Sequence, residues 1–291
     1  MSGETDGDAT PRRERTGGNT FVGDVVVNAR RWGIKATRNR FFLVGTLVQP
    51  IVFFVLFTQV FGQVATGALD AGAGSLNYET FLLPAIAMQV SLATAAGSGI
   101  GLVNDVESGM FEKVLVSPMS RTAVFVGKSA AEVVLIVIQI LLILGLGVLL
   151  GANIQTGVAG AVGVALVGIL FSVWFTAYSN VLAVVTRDQE STILGANLLQ
   201  FPLLFVSSAF LPLDAMPGWI QTIAAFNPVT YGADAARALV LGRDVMKVID
   251  VTAFGGMWDT IVPAVAVLIV VDVVLGALAV TMLRRASRAA V

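Results

Sequence analysis

From Val133 to Thr186 the chain carries no charged side chain. A soluble fold has no use for so long an uncharged run. Two membrane spans joined by a tight turn do, because each needs about 20 apolar residues. The turn is visible in the middle, as Gly151-Ala-Asn-Ile-Gln-Thr-Gly157. The remaining sequence agrees, with 56% hydrophobic and 13% charged residues, against about 25% charged in an ordinary soluble domain. An all-α integral membrane protein is therefore expected. Histidine and cysteine are both absent. Disulfides, thiol chemistry, histidine metal sites and serine–histidine catalysis are removed together.

Hydropathy places six transmembrane helices near 41–61, 81–103, 130–150, 158–185, 191–211 and 261–283, which makes 41–291 one six-span domain. Residues 1–20 are polar and read as a disordered cytoplasmic tail; no apolar stretch follows them as a signal peptide would require. In 21–40, Phe21, Val25, Ala29, Trp32 and Ala36 recur about every four positions among Arg30, Arg31, Lys35, Arg38 and Arg40. That pattern describes an N-terminal amphipathic helix lying in the headgroup layer. Fifteen of the 18 Lys and Arg residues fall on one side of the six-span scheme, the exceptions being Arg237, Arg243 and Lys247. By the positive-inside rule both termini are cytoplasmic, and a cell-membrane location follows.

The segment 104–129 lies on that same side. Glu107, Met110, Phe111, Val114 and Leu115 fall at i, i+3, i+4, i+7 and i+8, one face of a short helix. Asp105 and Glu107 stand where its positive end is expected. Pro118 stops it, and Ser120 is placed to cap the helix that follows. A short amphipathic helix hung between two spans is a handle for a partner. Gly127-Lys128-Ser129 looks like the tail of a phosphate-binding loop, but Thr122 occupies the position of the required first glycine and no strand leads in. No nucleotide site is expected in this chain.

Asp272, midway along the sixth span, costs on the order of 2.5–3.5 kcal/mol to insert as an ion. It either lines a pathway or bonds Gln139, Asn180, Asn197 or Gln200 between helices. Glu132 lies near the cytoplasmic end of span three, within reach of Arg187 or Lys128. Between spans five and six, 213–260 holds apolar pieces too short to span, which fit re-entrant external helices. Gly97, Gly99 and Gly101 would admit a close neighbour.

Glu107-x-Gly109-x-x-Glu112-x-x-x-x-Ser117-Pro118-x-Ser120-Arg121, followed by Lys128, resembles the cytoplasmic loop of permease subunits of type-2 ABC exporters. Phe205-Val-Ser-Ser-Ala-Phe-Leu-Pro212-Leu213 and Met216-Pro217-x-Trp219 are similar to that family's segment at the end of span five. Asn227-Pro228-Val-Thr-Tyr231, with Asp234 and Arg237, is similar to its external motif. The short loop Gly62–Thr80 is closest to the drug-resistance and nodulation-export branch, with Val229 and Ser208 as departures. The resemblance implies a non-enzymatic membrane subunit exporting amphipathic or lipid-like compounds. It would pair with a second permease copy or paralogue and two ATP-binding subunits, which hold the ATP and Mg, so no cofactor belongs to this chain. Helix 107–115 would be the coupling helix, and spans two and five would line the path at the dimer interface. Membrane lipid is the other expected contact; nucleic acid is not. The alternative is a self-sufficient ion-coupled transporter using Asp272.

Overall fold

The computed structural model describes residues 20–38, 40–73, 76–109, 121–246, 248–249 and 252–289. Among these, the regular elements are nine α-helices and one 3-10 turn: α1 (Phe21–Arg38), α2 (Arg40–Ala73), α3 (Tyr78–Glu107), α4 (Arg121–Leu149), α5 (Gly157–Thr186), α6 (Gln189–Phe205), the turn Leu213–Ala215, α7 (Gly218–Ala224), α8 (Pro228–Leu241) and α9 (Trp258–Ala289). Five of them, α2, α3, α4, α5 and α9, are long and apolar enough to cross a membrane. The chain is a multi-pass helical membrane protein.

The helix boundaries follow local chemistry. Thr20 Oγ1 accepts from the Gly23 amide at the start of α1. Arg187 ends α5 in the left-handed region (φ 51°). Its neighbour Asp188 opens α6 at once, accepting from the Ser191 amide at 2.7 Å. That bond holds the Asp188 carboxyl below its usual value. The two-residue connection makes α5 and α6 antiparallel neighbours.

The centre of the bundle is α3, which packs on α2, α4, α5, α6 and α8. Its apolar window is 72% buried, against 11% for α2 and 17% for the apolar window of α9. Outward faces of α2 and α9 carry Val48, Val52, Val60, Val270, Val273 and Val274, which suits lipid rather than water. The tightest crossing is α3 on α5. A Cβ added to Gly99 would lie 2.2 Å from the Ser179 carbonyl oxygen, and the Gly99 amide donates to Ser179 Oγ at 3.0 Å. The glycine run in span two therefore does admit a neighbour.

Two expectations change. Span 191–211 forms only the 17-residue α6 and then leaves helical geometry at Val206, for reasons set out below. Span two, expected to line a path, is enclosed by this chain's own helices. Two short helices lie between α6 and α9: α7 is exposed, with Trp219 and Ile223 outward and Phe226 exposed just after it, while α8 is buried along nearly its whole length.

Candidate functional site

The end of the bundle that carries α1 is held together by charge. Arg31 and Lys35, one turn apart on α1, both reach Asp105 near the end of α3, at 3.3 and 2.6 Å. Residues Asp24 and Asn28 on the same face are buried, while Val22, Val26, Val27 and Ile34 face outward. Of the expected apolar stripe, Phe21 is outward while Val25, Ala29, Trp32 and Ala36 are half-buried beside that polar face. Gly127 lets α1 settle onto α4, since a Cβ there would lie 2.6 Å from Asn28 Cβ and 2.7 Å from the Val25 carbonyl. Gly127→Val is expected to lift α1 off the bundle at a cost of about 1–3 kcal/mol. Limited trypsin digestion in mild detergent checks this, with cleavage after Arg30, Arg31 or Lys35 appearing only in the variant.

Lys128, the next residue, points the other way. Its ammonium pairs with Glu132 at 2.8 Å, donates to Ser98 Oγ and to Asn180 Oδ1, and lies 5.4 Å from the Trp32 ring. One buried cation thus joins α1, α3, α4 and α5. About three turns further along α4, Gln139 donates to Thr46 on α2 at 2.8 Å and is bonded with Thr94 on α3. These bonds satisfy polar groups that hydrocarbon cannot.

At the opposite end the chain leaves helical geometry after Phe205, and the freed carbonyls find side-chain donors. Asn227 donates through Nδ2 to the Leu203 and Val206 carbonyls, while its Oδ1 caps α8 at the Val229 amide. Arg237 donates to the carbonyls of Phe81, Ser208 and Ala209 and, at 2.7 Å, to Asp234. Its guanidinium lies 3.8 Å from the Phe81 ring centre. Ser208 donates to Asp234 at 2.8 Å, and Tyr78 donates to the Phe210 carbonyl at 2.8 Å. Burial pushes the Asp234 carboxyl up to about 6, with Arg237 pulling it back down. The break after Phe205 is therefore a built feature. Phe210 then stacks on Phe57 of α2 with ring centres 4.7 Å apart.

Residues 24–241, from the first turn of α1 to the last residue of α8, match the ABC-2 type transporter family. The chain belongs to that family. Among similar proteins, the daunorubicin resistance ABC transporter permease protein DrrB1 of Streptomyces coeruleorubidus is 28% identical over 75% of this chain and 71% of its own length. The probable doxorubicin resistance ABC transporter permease protein DrrC of Mycobacterium tuberculosis (strain ATCC 25618 / H37Rv) is 26% identical over 78% and 80%. The probable multidrug ABC transporter permease YbhR of Escherichia coli (strain K12) is 21% identical over 72% and 54%. An ABC-2 permease is a transport subunit, not a catalyst, and works with an ATP-binding partner subunit.

In this permease the sequence-derived sites separate into three groups. Met110, Phe111, Glu112, Val114, Leu115, Ser117 and Pro118 lie outside the described residues. Glu107 is the last residue of α3, which closes at Ser108 with Gly109 left-handed at φ 63°. Asp105, too, is claimed by α1 rather than by a following helix. Arg121 begins α4, one residue after Ser120. Lys128 is buried in the network above and is not presented to a partner.

Of the intramembrane group, Glu132 pairs with Lys128. The expected bond from Asp272 to Gln139, Asn180, Asn197 or Gln200 is not made. Gln139 and Asn180 are engaged elsewhere, and among the described residues Asp272 bonds none of the four, its contact being the Trp174 backbone. Asn197 is exposed and Gln200 buried on α6. The external motif is gathered closely. Pro212 and Pro217 precede the 3-10 turn and α7, and the Met216 carbonyl accepts from Gln221. Pro228 occupies the first turn of α8, and Tyr231 donates to the Ala225 carbonyl at 2.6 Å. Trp219 stands outward. The ion pairs of Asp105 and the carbonyl-capping role of Tyr78 were missed from sequence; the i, i+4 spacing of Arg31 and Lys35 was the available signal.

Proposed function

We propose that this permease is the membrane half of an exporter that moves drug-like or other amphipathic compounds out of the cytoplasm. Membership of the ABC-2 family across α1–α8 carries the reading, and relatives named for daunorubicin, doxorubicin and multidrug transport point to the substrate class. The topology has six crossings, the fifth made by α6 with 206–212, and α8 dips between the fifth and sixth. Both termini and the α1 end face the cytoplasm, and the membrane is the cell membrane.

Segment 110–120 bridges the end of α3 to the start of α4. It presents Met110, Phe111, Val114 and Leu115 to a groove on the ATP-binding subunit, with Glu112 orienting the dock. Two such subunits serve two permease chains. The face left for the second permease is on α6, where Leu194, Leu198 and Phe205 are outward and Leu198 is 80% exposed. These apolar side chains can pack against a second helix in lipid. An ATP-binding partner takes over the energetic role that the alternative gave to Asp272.

Glu112→Arg is expected to leave the protein in the membrane and to abolish substrate-stimulated ATP hydrolysis in the purified complex. A charge reversal at a docking contact costs several kcal/mol, enough to lose the partner on a detergent column. Wild-type transport by the variant overturns the coupling assignment.

A further inference from the structure

A slot lies between α1, α3 and α4, beside the charged network described above. Its cavity volume is about 110 Å³, and it is half open to its surroundings. Trp32, Lys35 and Asn104 line its mouth, and Thr94 and Leu135 its far end. From Asn104 to Thr94 is ten residues of α3, about 15 Å of rise, which equals half of a hydrocarbon core about 30 Å thick.

Among the described residues, Asp105 is the one carboxylate paired with Arg31 and Lys35, with the Gly101 carbonyl as a further acceptor for Lys35, so two cations share one anion. Among the described residues, the buried Trp32 Nε1 and the adjacent Arg31 Nε have no hydrogen-bond partner. Buried donors without acceptors are costly, so a ligand with anionic oxygens gains what the protein alone does not supply. A cationic ligand is disfavoured. Arg31, Lys35 and Lys128 already lie 5.4, 4.6 and 5.4 Å from the Trp32 ring, and the carboxylate in the wall, Glu132, is paired with Lys128.

We infer that this slot holds one anionic phospholipid of the inner leaflet, its phosphate at Trp32 and Lys35 and one acyl chain running down toward Thr94 and Leu135. The inference rests on the proposed orientation, which puts the α1 end at the cytoplasmic face. The lipid then fills the seam along which α1 meets the bundle.

Native mass spectrometry of the full chain tests it, after exchange into mixed micelles containing phosphatidylglycerol and phosphatidylcholine. One phosphatidylglycerol per chain is expected to be retained, about tenfold in preference to phosphatidylcholine. Lys35→Ala, which removes the mouth cation, and Ala131→Phe, which fills the slot, should each lose that preference. Arg38→Ala, on the same helix but outside the slot, should keep it. As a second readout, Trp32 should be quenched by phosphatidylglycerol with brominated chains when Trp174, Trp219 and Trp258 are phenylalanine. Equal retention of phosphatidylcholine, equal loss in Arg38→Ala, full competition by glycerol phosphate without chains, or displacement by doxorubicin in place of lipid each overturns the site. These readings use the permease alone, so they stand apart from the ATPase test of Glu112→Arg.

Discussion

Arg237→Ala is expected to be the most damaging single substitution in the described structure. The guanidinium serves one carboxylate and three backbone carbonyls while fully enclosed. Its removal leaves the buried Asp234 carboxyl with Ser208 as its remaining side-chain partner, and leaves the carbonyls of Phe81, Ser208 and Ala209 without this donor. Breaking one side of a buried pair costs about 3–5 kcal/mol, a large part of the stability of a typical domain. The expected result is a chain that inserts but unfolds at much lower temperature in detergent, read by fluorescence-detected size exclusion after heating. Arg237→Lys should recover only part, since an ammonium cannot reproduce the planar fork. The pH dependence gives a second readout. Asp234 binds its proton more tightly in the folded chain, with its pKa raised from 3.8 to about 6. Its contribution to stability is therefore fully present below the ordinary carboxylate value and is lost as pH rises through about 6. Asp234→Asn should flatten that fall.

Lys128→Met is expected to have the second-largest effect. The side chain of Lys128 is 6% exposed and that of Glu132 18%, so removing the cation leaves a poorly solvated carboxylate. A charged hydrogen bond in such a place is worth about 1.5–3 kcal/mol. Adding Glu132→Gln to Lys128→Met should recover most of the loss, because a neutral pair leaves no orphaned charge. Recovery of stability without recovery of ATP-driven transport would identify Lys128 as a link between α1 and the spans. Recovery of both would make it a stabilising contact alone. Thermal unfolding and transport in the same vesicle preparation separate the two.

The long elements were readable in the sequence because a run such as Val133–Thr186 has few ways to fold. The amphipathic helix was readable from its repeat, and α8 from Asn227-Pro228 at its start and Gly242 past its end. What could not be read depends on distant partners. Nothing local tells Val206–Phe210 to leave the helix, since the apolar run continues. The reason lies 21 to 29 residues away, in Asn227 and Arg237, and in Tyr78 on another span. Glu107 closes α3, and the signal for that is the glycine two residues on: Gly109 is what a closing helix places there. The interhelical bond expected of Asp272 is absent for a related reason: Gln139 and Asn180 have nearer bonding partners, and sequence does not rank distances.

The bolting of α1 to α3 and α4 has a mechanical consequence. Residues 110–120 are tethered at both ends to helices whose bases are clamped to α1 by the Asp105 ion pairs, the Gly127 contact and the Lys128 bridge. A push on that tether therefore arrives at α1 as well, a helix with valines on its outer flank. Under the coupling proposed above, each stroke would drag that flank through the lipid beside it. The bilayer would then act as a friction bearing on the transporter, and its fluidity would set part of the turnover time.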